Sequence, residues 1–211
     1  MANRQSNIIN AFRFPKGHLL AGKYRVVSFL GGGFEGEVYK IEEIDTGIIR
    51  AAKLFFPHRN KNNKVAIRYA KMLHKLSSCQ ILIHYHTNEL IMFNDQKVYC
   101  LISEYVDGEL LSKFLNRHPG KRIGVFRALH LLHALVSGLE LIHNLNGYHG
   151  DLHSDNIIIK RYGLGFELKL LDMYHWSGFA QRFNIQDDIR DSIKLFYEAL
   201  GGKKVYKNLT K

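Results

Sequence analysis

His149-Gly150-Asp151-Leu152-His153-Ser154-Asp155-Asn156 reads H-x-D-x-x-x-x-N and stands between a long helical pattern and a short β-branched one. Upstream, Phe126 to Leu145 places Leu129, Leu132, Val136, Leu139 and Ile142 at helical spacing, which predicts at least five turns. Downstream, Ile157 to Lys160 and Glu167 to Leu171 predict two short strands around the turn Arg161-Tyr162-Gly163-Leu164-Gly165. Asp172 ends the second strand, sixteen residues past Asn156. Phosphoryl transfer needs a carboxylate to orient an acceptor hydroxyl, and an amide oxygen with a second carboxylate to hold Mg²⁺ against phosphate oxygens. Asp151, Asn156 and Asp172 supply those groups in that order.

The N-terminal half carries a matching signal. Gly31-Gly32-Gly33-Phe34-Glu35-Gly36-Glu37-Val38 contains G-x-G-x-x-G between two strand patterns, Tyr24 to Leu30 and Glu37 to Ile44. A dinucleotide fingerprint would instead need a helix directly after the glycines and an acidic residue about 20 positions on. A glycine-rich turn joining two antiparallel strands serves as a flap whose N–H groups can approach phosphates without a Cβ in the way. The next strand, Ile48 to Phe55, contains Ala51 and Lys53, the lysine 22 residues after Gly31. Taken alone, Lys53 is either a solvent-facing strand residue or a phosphate ligand.

Asn62 to Leu76 spaces Val65, Tyr69, Met72, Leu73 and Leu76 as a helix with a basic opposite face. Strands over Ile81 to Ile91 and Val98 to Glu104 complete an expected five-stranded antiparallel sheet, and Asp187 to Leu200 reads as a closing helix ended by Gly201-Gly202. A strand-rich half followed by a helix-rich half implies an α+β chain of two lobes with a cleft. The expected divisions are an N-terminal extension over 1–20, a first lobe over 21–105 and a second over 106–211.

Composition narrows the classes. With 211 residues, 46% apolar and 23% charged, the chain is neither a disulfide mini-protein nor a disordered or low-complexity one. Cys79 and Cys100 lack any C-x-x-C spacing, so no thiolate zinc site is expected. No run of about 18 apolar residues occurs, and a cytoplasmic protein without a membrane span is the expectation. A formal charge of +11 predicts attraction to anions. Arg59, Lys61, Lys64, Arg68, Lys71 and Lys75 lie in a stretch without a carboxylate from Leu54 to Asn88, read as a solvated helix face. Charge alone does not make a nucleic-acid site, and none is expected. His149 and His153 have H-x-x-x-H spacing on a loop without the adjoining Glu, so no zinc is expected there.

Leu30 to Lys40, the Ala51/Lys53 pair, the hinge-like Ser103-Glu104-Tyr105-Val106 and the H-x-D-x-x-x-x-N loop together resemble the protein kinase-like superfamily over about residues 23–201. More narrowly, the chain is similar to bacterial serine/threonine-kinase-like proteins whose catalytic loop reads H-G-D-L-H. The resemblance implies a two-lobed kinase-like fold with a small antiparallel-sheet first lobe and a mainly helical, shortened second lobe, using ATP and Mg²⁺. It implies that Gly31, Gly33 and Gly36 cover the phosphates and Lys53 binds the α- and β-phosphates. Val38 and Ala51 would sandwich adenine from one side and Ile158 from the other, with backbone groups of Glu104 and Val106 at its edge. Asp151 would be the base, with His153 beside it where a lysine usually stabilises the transferring group, and Asn156 and Asp172 would hold the metal. Asp188, or Asp187 in the alternative register, would tie the last helix to the loop. The expected function is phosphotransfer to serine or threonine of an unidentified protein. The alternatives are a small-molecule or lipid-linked sugar kinase and a nucleotide-binding pseudokinase scaffold.

The sequence also departs from the family. Tyr69 stands where the first-lobe helix should carry the glutamate that pairs with the strand lysine, and Glu35 or Glu37 in the flap is the expected substitute. Gly150 replaces the arginine that receives an activation-loop phosphate, and only 15 residues separate Asp172 from Asp188, without A-P-E. No activation by loop phosphorylation is therefore expected, and treatment with a phosphatase should leave activity in place.

Overall fold

Alternation of β-branched and aromatic residues with polar ones builds the first unit, which comprises residues up to Lys75 together with His84–Tyr105. The computed structural model describes residues 8–163, 165–174 and 181–202. Residues 1–7 of the expected extension, Leu164, the segment 175–180 and the tail 203–211 lie outside the described residues. Six strands pair antiparallel in the order β1-β2-β3-β4-β6-β5: β1 Leu19–Leu20, β2 Tyr24–Gly32, β3 Gly36–Glu43, β4 Ile49–Phe55, β5 Tyr85–Phe93 and β6 Gln96–Glu104. The expected sheet of five strands thus gains β1, whose two residues are too short a run for a periodic pattern to show.

Because side chains alternate across a strand, each face of the sheet has its own membership. One face buries Tyr39, Ile41, Ala52, Leu54, Cys100 and Ile102, and residues of the N-terminal extension, Ile9 and Phe12, join that core. Phe12 stacks on Phe56 and meets Phe93 edge-on, so the extension is a packed strap over the sheet. The other face carries Val38 opposite Lys53 and Ala51 opposite Ser103. Helix α1, Lys64–Lys75, packs against β5 and β6 and buries Ala66, Tyr69, Ala70 and Leu73. It starts two residues later than the sequence pattern suggests, because Asn62 and Asn63 take left-handed backbone angles, which asparagine tolerates. The side chain of Asn60 then accepts a hydrogen bond from the Ala66 N–H at 3.2 Å, satisfying one of the open donors of the helix start.

The second unit comprises Leu76–Ile83 with the chain from Val106 onward. The strand anticipated over Ile81 to Ile91 is observed as Tyr85–Phe93, and Ile81 to Ile83 belong to this unit instead. Ile81 offers its carbonyl to Leu170 N–H at 2.7 Å, and its side chain fills the place where a Cβ on Gly138 would stand. Those contacts tie Ile81 to the strand that ends at Leu170 and to the helix that holds Gly138, both in this unit. The unit contains a sheet β7-β8-β9, Glu109–Leu110, Ile157–Tyr162 and Gly165–Leu170, with helices α2 Leu111–Asn116, α3 Val125–Asn144 and α4 Gln181–Ala199.

Helix α3 is rotated from the face its large apolar residues suggest. Ala128, Leu131, Leu135, Gly138, Leu139 and Ile142 are buried, whereas Leu129 and Val136 are about half exposed. Small residues decide this, since Ala128 and Gly138 allow close approach where leucines could not. By length and hydropathy α3 could cross a membrane, a property that a search for uninterrupted apolar runs passes over. Here it packs against α4 and β9. Helix α4 begins at least six residues before the expected Asp187, because Asn184, Asp188 and Ser192 form its buried stripe and carry no hydrophobic period.

Candidate active site

In the first unit, the antiparallel register lines up the sequence-selected residues on one face of the sheet. Gly31 pairs with Val38, Val38 with Lys53 and Lys40 with Ala51, so Val38, Ala51 and Lys53 share that face. Gly36 is fixed by packing, since a Cβ there would lie 1.9 Å from the Leu54 carbonyl. Gly31 and Gly33 are not: their φ values lie outside the left-handed region, and a Cβ on either meets nothing within 4 Å. Neither the backbone nor the packing among the described residues demands glycine at those two positions.

Lys53 Nζ lies 3.0 Å from Glu35 Oε2, the lysine side chain 12% exposed and the glutamate 29%. The same ammonium stands 5.2 Å from the ring centroids of Tyr69 and Phe55. Of the two flap carboxylates, Glu35 therefore faces the lysine. Glu37 points the other way, into the core, where it accepts the Tyr39 hydroxyl and the Phe12 N–H. Burial and that carboxylate push the Tyr39 phenol up to about 12. At the end of β6 the Glu104 N–H donates to the His84 carbonyl at 2.9 Å, and the Ser103 hydroxyl reaches the Glu104 carbonyl at 3.4 Å.

In the second unit, Val106 precedes β7 and its carbonyl accepts the Gly108 N–H at 3.1 Å. Ile158 sits half-buried in β8, pairing with Leu110 and Lys169. The loop between α3 and β8 is organised by Asp188, which is 1% exposed. Its Oδ2 accepts the His149 N–H at 2.7 Å and lies 3.0 Å from His143 Nε2, and its Oδ1 accepts the Gly150 N–H at 2.9 Å. Asp187 instead pairs with Arg190 at the surface, which decides the register. Gly150 has φ +80°, and a Cβ would stand 2.4 Å from the Tyr174 carbonyl. An arginine could not replace it without moving that carbonyl.

This scaffold presents Asp151 with its side chain half exposed. Asn156 Nδ2 donates to the Asp151 carbonyl at 2.8 Å and to its carboxylate at 3.3 Å. Its NH₂ end is thereby committed to Asp151, which leaves the side-chain oxygen as the end not used in that contact. The Asn156 carbonyl accepts the Leu171 N–H at 2.8 Å, which brings Asp172, at φ +52°, beside the loop. His153 Nδ1 accepts the Asp155 N–H at 3.2 Å, leaving Nε2 as the protonated nitrogen, 3.7 Å from Asp151 Oδ2. That separation is electrostatic contact rather than a hydrogen bond.

Sequence reasoning missed His143, whose contact with Asp188 spans 45 residues and leaves no local signature. His149, by contrast, lies in the motif itself and is fully buried. Nε2 of His149 donates to the Leu171 carbonyl at 2.7 Å, and Nδ1 accepts the Asp151 N–H at 3.3 Å. Burial lowers its pKa, outweighing the opposing influence of Asp188, the Leu171 carbonyl, Asp151 and Asp172. A neutral buried histidine that becomes charged on unfolding makes the unfolded state the better proton binder, so stability falls as pH drops below about 6.5. Wild type should lose up to about 1.4 kcal/mol of unfolding free energy per pH unit in that window from this residue. His149→Gln, compared by urea titrations from pH 7 to pH 5, should show the shallower slope.

A model of the protein kinase domain matches residues 24–197. The chain belongs to the protein kinase family. Members of that family generally use ATP with Mg²⁺. Serine/threonine-protein kinase pkn2 of Myxococcus xanthus is 31% identical over 159 residues, 75% of this chain and 18% of that protein. Calcium-dependent protein kinase 4 of Plasmodium falciparum is 26% identical over 180 residues, 83% of this chain and 32% of that protein. This chain therefore spans less than a third of either relative. A crystal structure of a kinase domain superposes with a TM-score of 0.71 at 20% identity, covering 91% of this chain and 68% of the other. The kinase fold is shared even where most side chains have changed.

Proposed function

We propose that this kinase domain transfers the γ-phosphoryl group of ATP, with Mg²⁺, to a serine or threonine hydroxyl of a protein. The observation that carries the reading is the coupled pair Asp151 and Asn156. A half-exposed carboxylate is oriented by the NH₂ of an amide, with Asp172 held beside it through the Asn156 backbone carbonyl. Hard oxygen donors of this kind suit Mg²⁺, which takes one or two carboxylates and keeps waters and phosphate oxygens as its other ligands. Asn156 and Asp172 would hold it, and when bound it supplies charge neutralisation on the phosphate oxygens.

The chain's own residues then divide the work. Gly31, Gly33 and Gly36 let the flap lie close over the phosphates, and the open space where two of these glycines would carry a Cβ fits that use. Lys53 supplies the fixed positive charge for the α- and β-phosphates. Val38, Ala51 and Ile158 offer apolar contact to the base, and the Glu104 and Val106 backbones its polar edge. Asp151 aligns the acceptor hydroxyl and takes its proton as the oxygen bonds to the γ-phosphorus and ADP departs. His153, with Nε2 protonated, can donate to the transferring phosphoryl oxygens.

ADP release from Mg-ATP by the purified protein, with host lysate split into macromolecular and small-molecule fractions, tests this. Stimulation by the macromolecular fraction and ³²P incorporation into protein serine or threonine is expected. Stimulation by the small-molecule fraction alone would move the acceptor to a metabolite, and ATP binding without ADP release would make the domain a pseudokinase.

A further inference from the structure

The family's strand lysine is ordinarily held by a carboxylate on the first-lobe helix, and this chain has none on α1 or anywhere from Leu54 to Asn88. We propose that Glu35, at the tip of the glycine-rich hairpin, is the positioning residue for Lys53, so that the flap itself aligns the phosphate-binding amine. The inference rests on the kinase reading above for its catalytic meaning, and on the geometry of the first unit for the pairing.

Four observations carry it. The 3.0 Å contact joins a lysine and a carboxylate that are both largely withdrawn from water, where an ion pair is stronger than at a surface. Glu37, the rival carboxylate, is committed to the strap and faces the core. The flap tip is also held where Glu35 needs to be: the Phe56 N–H donates to the Glu35 carbonyl at 2.9 Å, and the Arg59 guanidinium lies 3.7 Å from the Phe34 ring centroid. Tyr69, at the helix position of the missing glutamate, turns a ring face toward the ammonium instead.

A consequence separates this domain from relatives that complete their site by swinging a helix. Here the carboxylate and the phosphate-covering glycines belong to one hairpin, so the Glu35–Lys53 pair depends on the position of the flap. Displacing α1 would leave the pair intact, whereas displacing the flap would break it.

The test compares wild type with Glu35→Gln in the full chain by two readouts. Steady-state ADP release at varied Mg-ATP should show kcat/KM for ATP lower by about 10²-fold, the scale expected when a reacting group loses its alignment. Acylation of Lys53 by an amine-reactive ester, followed by mass spectrometry at fixed pH, should be several-fold faster in the variant, because an amine gives up its proton more readily once a carboxylate 3.0 Å away is neutralised. A purely structural role for Glu35 would not move the second readout. Equal Lys53 acylation in the two proteins, or a kcat/KM within twofold of wild type, overturns the proposal. Absence of ADP release from wild type would instead sink the kinase reading, and the acylation rates would still decide the pairing.

Discussion

Asp151→Asn should reduce phosphoryl transfer by about 10³-fold while leaving nucleotide affinity within a few-fold of wild type, the scale on which a positioned general base contributes. The substitution is nearly isosteric, so its effect is chemical. In the wild type the carboxylate receives the Asn156 Nδ2 hydrogen at 3.3 Å and stands 3.7 Å from the protonated edge of His153. An amide at residue 151 can turn either its oxygen or its NH₂ toward those donors, but neither end accepts a proton from an alcohol at neutral pH. The loop should keep its shape, because the groups that fix it are the backbone N–H bonds to Asp188 and the Asn156 bond to the residue 151 carbonyl. Single-turnover transfer from ATP, beside equilibrium binding of a non-hydrolysable analogue, separates the two quantities. A variant that retains a tenth of wild-type turnover would exclude Asp151 as the base.

Why the sequence exposed some of this and hid the rest follows from the range of the interactions. Local signals carried the most. The flap glycines, Lys53 and the loop from His149 to Asn156 are contiguous or placed by strand alternation, so their grouping by face could be read in advance. The choice between Glu35 and Glu37 was also within reach. Glu37, Tyr39 and Ile41 share a parity that puts them in the core, and Val38 shares Lys53's face, so a carboxylate for the lysine had to come from the turn rather than from position 37. What stayed hidden depends on long-range contact. Residues 81–83 belong to the second unit, where the Ile81 carbonyl accepts the N–H of Leu170, nearly ninety positions away. The packed faces of α3 and α4 are marked by small or polar residues, Ala128 and Gly138 in one and Asn184, Asp188 and Ser192 in the other. A hydrophobic period cannot reveal such a face, since close approach and hydrogen bonding select those residues rather than transfer from water.

The polar stripe of α4 predicts the largest loss of stability. Asp188→Ala should lower the unfolding free energy by about 3–5 kcal/mol, out of the roughly 5–15 kcal/mol available to a domain of ordinary stability. The side chain is almost wholly buried and accepts from two loop N–H groups while touching His143 Nε2. Truncation leaves the buried His149 N–H without its acceptor, at about 1–3 kcal/mol, removes the acceptor of the Gly150 N–H and opens a void beside His149. Asp188→Asn should lose less, because its single carbonyl oxygen can still accept one of the loop amides while its NH₂ faces the other. Asp187→Ala is the internal control. Its carboxylate pairs only with Arg190 at the surface among the described contacts, and such pairs contribute about 0–1 kcal/mol. Urea unfolding of the three variants at pH 7 gives the order directly. The Asp188 variants should also lose turnover below the temperature at which they unfold, since the N–H bonds of His149 and Gly150 are what hold Asp151 one residue further along. Equal losses at Asp187 and Asp188 would mean that the α4 register, and with it the anchoring of the loop, is wrong.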